Sequence, residues 1–256
     1  MPETRQFGDT EIQRLALMHG HGVPAHRHGR GHLVYPAAGV LSVTTDGGTW
    51  IAPANRAVWI PAGAEHQHRA YGRTDMRVLP LPPSLAARLP VRPAVLAVSA
   101  LAREALLTLT AGTGTPRPLA AQNRLRAVAV DELVLAPEQP LHLPEPADPR
   151  LRALADRLRR DPSDPATLAE LGRQVGASER TLSRLFHGEV GMSFRQWRGQ
   201  LRIHQALVLL ASGRPVTETA IACGWANPTS LIEAFTTVLG QTPSQYRGQA
   251  VREETG

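Results

Sequence analysis

The stretch APEQPLHLPEPADP, residues 136–149, holds five prolines in fourteen residues and constrains the chain more than any other. Proline lacks a backbone N–H and clashes with the preceding helical turn, so neither a helix nor an inner strand passes through so many of them. The stretch reads as a linker, residues 137–149, between two parts of a 256-residue chain. That length suffices for two cores.

The two parts differ in hydrophobic period. From Ile12 to about Leu81 the period is near two: Leu41, Val43 and Thr45 alternate with Val40, Ser42 and Thr44, and Asp46-Gly47-Gly48 supplies a turn. Trp50, Ala52, Val58 and Ile60 follow in short segments broken by Pro53, Pro61 and Gly63. Many short strands with such punctuation predict a small all-β sandwich or barrel over residues 1–82. Residues 83–136 change character. Here 94–111 and 118–136, rich in Ala, Leu and Arg and separated by GTGTPRP, are expected to be two helices. They lie on the barrel or pair with a second copy.

Residues 150–256 read as helical throughout. Asp164 is the expected N-cap, with Pro165 at the first helical position, of a helix through Val175. Gly176 ends it and Ser178 caps ERTLSRLFHG; Ser193 caps a long helix that stops at Gly213. PVTETAIACGW and NPTSLIEAFTTVLG then repeat the short-helix, turn, helix arrangement. The expectation is two helix-turn-helix units joined by one long helix, in a two-domain α+β protein.

The net charge of +6 is carried by arginine alone, since the sequence has no lysine. A GC-rich genome produces the same bias. Its distribution says more: residues 1–149 hold 14 Arg against 12 acids, whereas 150–256 hold 14 against 10, or +4 over 107 residues. The C-terminal part is therefore compatible with a polyanion partner. No apolar run has the length of a membrane span, and the start, MPETRQFGDTEIQRL, lacks a secretion signal. The single cysteine, Cys223, excludes an internal disulfide and fits a reducing compartment. A soluble cytoplasmic protein is expected.

The segments LAELGRQVGASERTLSRLF and AIACGWANPTSLIEAFTTVLGQTPSQYR resemble the AraC/XylS family of bacterial transcription regulators. The second carries the family's signature at Ile221-Ala222, Gly224-Trp225, Ser230, Phe235, Gly240, Thr242-Pro243 and Tyr246-Arg247. In the first unit Leu182, Leu185 and Phe186 form an apolar stripe, which turns Glu179, Arg180, Ser183, Arg184 and His187 outward. The resemblance places the base-contact positions at Arg180, Ser183 and Arg184. Arginine suits them, because its fork bonds guanine O6 and N7 together. The second unit departs from the family pattern: its outward positions are Thr229, Ile232 and Glu233, and Thr236 stands where a basic residue is common. Glu233 can accept from a cytosine amino group but repels phosphate. Arg195, Arg198 and Arg202 on the joining helix are the candidates for phosphate contact. Cys223 reads as a small core residue.

Seven of the ten histidines fall within the first 68 residues. His26-x-His28, then His32 and Gly39, has the spacing of the first cupin motif, and Pro61-x-Gly63-x-x-His66 that of the second. The segment resembles a cupin barrel over roughly residues 10–82, the sensor type expected in this regulator family. The resemblance implies a metal site at His26, His28, His32 and His66, with imidazole in place of the usual carboxylate. Asn55 and Ala70 replace the glycine and asparagine that bound the second motif. Residues two apart on a strand share a face, so His26 and His28 can converge. A neutral imidazole set suits nickel, zinc or copper. The rival reading is a pocket for an organic effector. His19, His21 and His68 read as loop residues, and His142 and His204 have no partner pattern.

Taken together, these features predict a DNA-binding transcription regulator whose cupin domain senses a metal ion or a small molecule. Its expected partners are a double-stranded operator, the effector, a second copy of the chain and RNA polymerase; no membrane is expected. The alternative is a cupin metalloenzyme with an appended helical domain, which needs a catalytic acid or base. Glu65, beside His66, is its one candidate and points the other way on a strand.

Overall fold

The computed structural model describes residues 13–111 and 117–247. Ile12, most of the GTGTPRP turn (residues 112–116) and the residues after Arg247 lie outside the described residues.

The chain divides into two compact units, residues 1–45 with 50–139, and residues 46–49 with 140–256. In the first, the strands are β1 (Gln13–Leu17), β2 (Gly22–His26), β3 (His32–Thr45), β4 (Gly48–Pro53), β5 (Arg56–Ile60), β6 (His66–Pro80) and β7 (Ala94–Ala97). β6 pairs antiparallel with β1, β2 and β3, and β5 lies between β3 and β7. The long β3–β6 ladder slips register between Pro36 and Val40. Gly39 sits in that slip at φ +80°, where a Cβ would lie 2.3 Å from the Arg73 carbonyl oxygen. Glycine is required there, and the bulge it permits bends the sheet toward closure.

Three helices follow: α1 (Pro83–Ala86), α2 (Ala100–Leu109) and α3 (Leu119–Leu135). The sheet and the helices share one core, in which Leu33, Tyr35, Trp59 and Leu79 meet Leu96, Leu106, Leu109, Val130 and Leu133. The helices thus lie on the sheet. Arg77, on β6, fastens the end of α2 by donating from Nη1 to the Thr110 carbonyl at 3.0 Å, while Asp75 takes its other two nitrogens. One expectation fails: residues 94–111 do not form a single helix. Ala94–Ala97 completes the sheet beside β5, and α2 begins only after Ser99, whose side chain accepts from the Ala102 N–H. Alanine and leucine favour helix, but strand pairing overrides that weak local preference.

The second unit contains β8 (His142–Pro144), α4 (Pro149–Arg160), α5 (Leu168–Gln174), α6 (Glu179–Leu185), α7 (Phe194–Ala211), α8 (Val216–Ala222) and α9 (Pro228–Leu239). The proline-rich stretch is not a loose linker along its whole length. Leu141 and Leu143 are buried, and β8 pairs with the β4 residues of the same unit. His204 Nε2 donates to the Leu141 carbonyl at 3.2 Å, Trp197 Nε1 donates to that of Pro144 at 3.4 Å, and Arg159 pairs with Glu145. Proline count hid a short period-two pattern, Leu141-x-Leu143, that a short strand can satisfy.

Candidate metal centre and nucleic-acid interface

The first helix-turn-helix is α5, a turn at Gly176 and α6. Its start differs from expectation. Thr167 caps α5, in a reciprocal box with Glu170 that satisfies two backbone amides. Asp164 instead accepts from the Ala166 N–H and pairs with Arg157 at 2.6 Å. Gly172 lets the turn close, since a Cβ there would lie 2.4 Å from the Ala177 carbonyl oxygen. In α6, capped by Ser178, Leu182 and Phe186 are fully buried against Leu154, Leu158, Leu171 and Trp197, and Leu185 is half-buried. Glu179, Arg180, Arg184 and His187 are exposed and Ser183 is half-buried. Arg180 and Arg184 make no hydrogen bond or ion pair among the described residues. A π-helical turn, Phe186–Val190, continues α6.

On the joining helix α7 the three candidate arginines part company. Arg195 is exposed and unpaired among the described residues. Arg198 donates to the Ala166 carbonyl at 2.8 Å and lies 5.6 Å from the Phe194 ring. Arg202 donates to the Pro162 carbonyl at 3.2 Å and lies 5.8 Å from the Trp225 ring. These two hold the loop before α5, and Arg202 also braces the second unit's turn. Gly224, in that turn, has φ +73° and would place a Cβ 2.7 Å from both Ser163 Cα and Arg202 Nη2.

The second helix-turn-helix, α8 and α9, buries Leu231, Phe235 and Leu239. Thr229, Ile232 and Glu233 are exposed and Thr236 is half-buried. Cys223 is fully buried, which pushes its thiol up to about 12, so it is an inert packing residue. Asn227 caps α9 and Gly240 ends it in the left-handed region.

In the barrel, His26 closes β2 opposite His66 on β6, and His32 opens β3. His28 lies beyond β2 in the loop, so the expected strand alternation of His26 and His28 does not hold. Their rings nevertheless converge, with centroids 4.8 Å apart. The ring of His66 lies 4.3 Å from His26, 5.5 Å from His28 and 5.0 Å from His32. The side chains of His26, His32 and His66 each donate Nδ1–H to a carbonyl two residues back, those of Pro24, Arg30 and Ala64, at 2.7, 3.4 and 2.8 Å. A carbonyl can only accept, so the tautomer is set and Nε2 carries the lone pair. The Nε2 atoms of His32 and His66 are buried without a partner. Burial, with neighbouring imidazoles adding to it, lowers His32 to about 3 and His66 to about 4. Both are neutral, the form that binds a metal.

His68, expected in a loop, lies in a strand instead. It stands on β6 opposite Val23, is 5% exposed, and has a buried Nδ1 without a partner. Its ring is 5.0 Å from His66 and 5.5 Å from His26. The two-residue strand rule applied to His66 and His68 would have found it. His19 is at the surface, accepting from the Gly72 N–H at 3.2 Å, and His21 is exposed.

Comparison with known proteins agrees with both domains. Residues 171–249 match the family model of a helix-turn-helix domain, and residues 13–82 that of a cupin domain. The HTH-type transcriptional regulator NimR of Escherichia coli K12 is 36% identical over 223 residues, which cover 87% of this chain and 81% of NimR. The chain belongs to the AraC/XylS family of transcription regulators. RipA of Corynebacterium glutamicum, another HTH-type regulator, is 38% identical over 103 residues, or 40% of this chain and 31% of RipA. A solved structure of ToxT from Vibrio cholerae aligns with 93% of this chain and 98% of its own at 8% identity, with a TM-score of 0.41, too weak a likeness to carry an argument.

As an AraC/XylS regulator the protein is not an enzyme, and the metalloenzyme alternative falls. Several signature residues of the family prove to be framework. Phe235 and Tyr246 pack with ring centroids 5.8 Å apart, and Thr242 accepts from the Gln245 N–H. Ile221 is the exception, 73% exposed on α8. Among the described residues no helix is long and apolar enough to cross a membrane.

Proposed function

We propose that this AraC/XylS regulator senses a late first-row transition metal ion, nickel, zinc or copper, held in the barrel by His26, His28, His32 and His66. The observation that carries the reading is the pair of orphaned, buried imidazole nitrogens, His32 Nε2 and His66 Nε2, in a group with His28 whose ligand atoms lie within 4.8 Å of one another, with the His26 ring 4.8 Å from that of His28. A buried acceptor without a partner costs about 1–3 kcal/mol, a cost that a bound ion removes. An all-imidazole set favours ions at the soft end of the divalent series. Drawn onto one ion, these residues join β2, β6, the loop at His28 and the start of β3. The ion regulates only by its difference in affinity between two states of the protein.

Arg180, Ser183 and Arg184 read base edges of the operator, and Arg195 meets phosphate. The protein acts as a homodimer through residues 83–136, where Leu119 and Leu135 are 69% and 82% exposed. The deciding experiment is equilibrium titration of purified, chelator-treated protein with each ion. One ion per chain, with a raised melting temperature, is expected. No binding and no thermal shift with any of the three would overturn the reading and leave the histidines as the lining of a pocket for an organic effector.

A further inference from the structure

The sensor's metal motif explains four of the five clustered histidines and leaves His68 without a task. His68 is buried, its Nδ1 has no partner, and it sits on the same strand and face as His66. The ligand atoms group into two sets of three within 4.8 Å, His28 with His32 and His66, and His26 with His66 and His68. Only His66 belongs to both.

We infer that His68 is a metal ligand, and that the barrel offers two overlapping three-imidazole seats sharing His66, filled by one ion at a time. This rests on the metal-sensing reading. The exclusion follows from the valence of one nitrogen. His66 Nδ1 carries a hydrogen donated to the Ala64 carbonyl at 2.8 Å, so only Nε2 offers a lone pair, and one lone pair serves one ion. The outer seat takes His28 from the β2–β3 loop and His32 from the first residue of β3. The inner seat, His26, His66 and His68, lies on the paired strands β2 and β6. The inner seat is therefore the more rigid, and its three donors leave a fourth position open for water or for a ligand from the outer seat.

The test is a set of variants titrated with nickel, zinc and, as a coordination probe, cobalt(II). Wild type binds one ion per chain. The double variant His28→Ala/His32→Ala, which keeps the inner seat whole, still binds one ion, more weakly. Adding His68→Ala to it abolishes binding, since two imidazoles remain. His66→Ala alone removes both seats and has the largest single effect. The cobalt(II) absorption spectrum of the double variant keeps the intensity of a low-coordinate nitrogen site, a readout that mere packing by His68 does not produce. Loss of binding in the double variant, when its circular dichroism matches wild type, overturns the proposal, as does uptake of two ions by wild type. Should the triple variant not fold, His68→Gln in the same background replaces it. Failure of wild type to bind any ion is a different result, and it overturns the sensor reading itself.

Discussion

The two helix-turn-helix units are built alike and finished differently. Each has a short first helix, a glycine in the turn, a capped second helix and an aromatic anchor, Phe186 in one and Phe235 in the other, both fully buried. Yet α6 presents Arg180 and Arg184, exposed and unpaired among the described residues, while α9 presents Thr229, Ile232 and Glu233. The difference teaches that scaffold and reading surface vary independently. Packing demands apolar residues on one stripe and leaves the other stripe to function. In the proposed reading, the first unit supplies most of the electrostatic affinity and the second contributes shape or a single acceptor.

Removing an anchor should have the largest effect and should erase the contrast. Phe186→Ala and Phe235→Ala each are expected to cost about 3–5 kcal/mol of unit stability, measured by denaturant melts. If one proves far cheaper, the two scaffolds are not equivalent. Next in size, Arg180→Ala and Arg184→Ala should each cost about 1–3 kcal/mol on the specific operator and relax preference at one or two base pairs. Equal losses on random DNA would show that they touch phosphate alone.

Smaller effects follow on the joining helix. Arg195→Ala should weaken specific and random DNA alike and reduce the salt slope by about one. Arg198→Ala should lower the melting temperature and leave that slope largely unchanged, because Nη1 donates to the Ala166 carbonyl and Nε and Nη2 are buried. Smallest of all, Glu233→Gln should raise DNA affinity slightly at low salt by removing a repulsive charge. A loss of affinity instead would identify Glu233 as a base acceptor.

Acid titration tests the second unit as a whole. His204 is buried, and burial together with His142 and Arg159 lowers it to about 3, against 6.5 in a solvated chain. Between those values the unfolded chain binds the proton and the folded one does not, so stability falls as pH drops below about 6.5. His204 is expected to contribute up to one proton to this dependence, and His204→Leu should remove that share while leaving the part that the buried barrel histidines contribute. The same pH dependence in His204→Leu as in the wild type would show that His204 is already charged in the folded protein.

Much of this molecule is legible in its residues, and the failures are instructive. The strands, the caps at Ser178 and Ser193 and the apolar stripe of α6 follow from period and capping chemistry, which act between neighbours. The structure departs from the helix expected from residue 94 and from the linker expected at 137–149 for one reason. Ala94–Ala97 and His142–Pro144 are strands only because a partner strand meets them, and pairing at long range is invisible to local preference.

The sequence by itself determined the two-domain plan, the regulator family and four of the five histidines, because short-range spacing carries that information. Tertiary structure alone decided that Arg198 and Arg202 turn inward while Arg195 stays exposed. It also brought His68, 36 residues beyond His32 in the chain, into one cluster with the motif histidines. Side chains on one strand share a face by geometry. Which strands then close around a common centre depends on how the whole sheet pairs and bends.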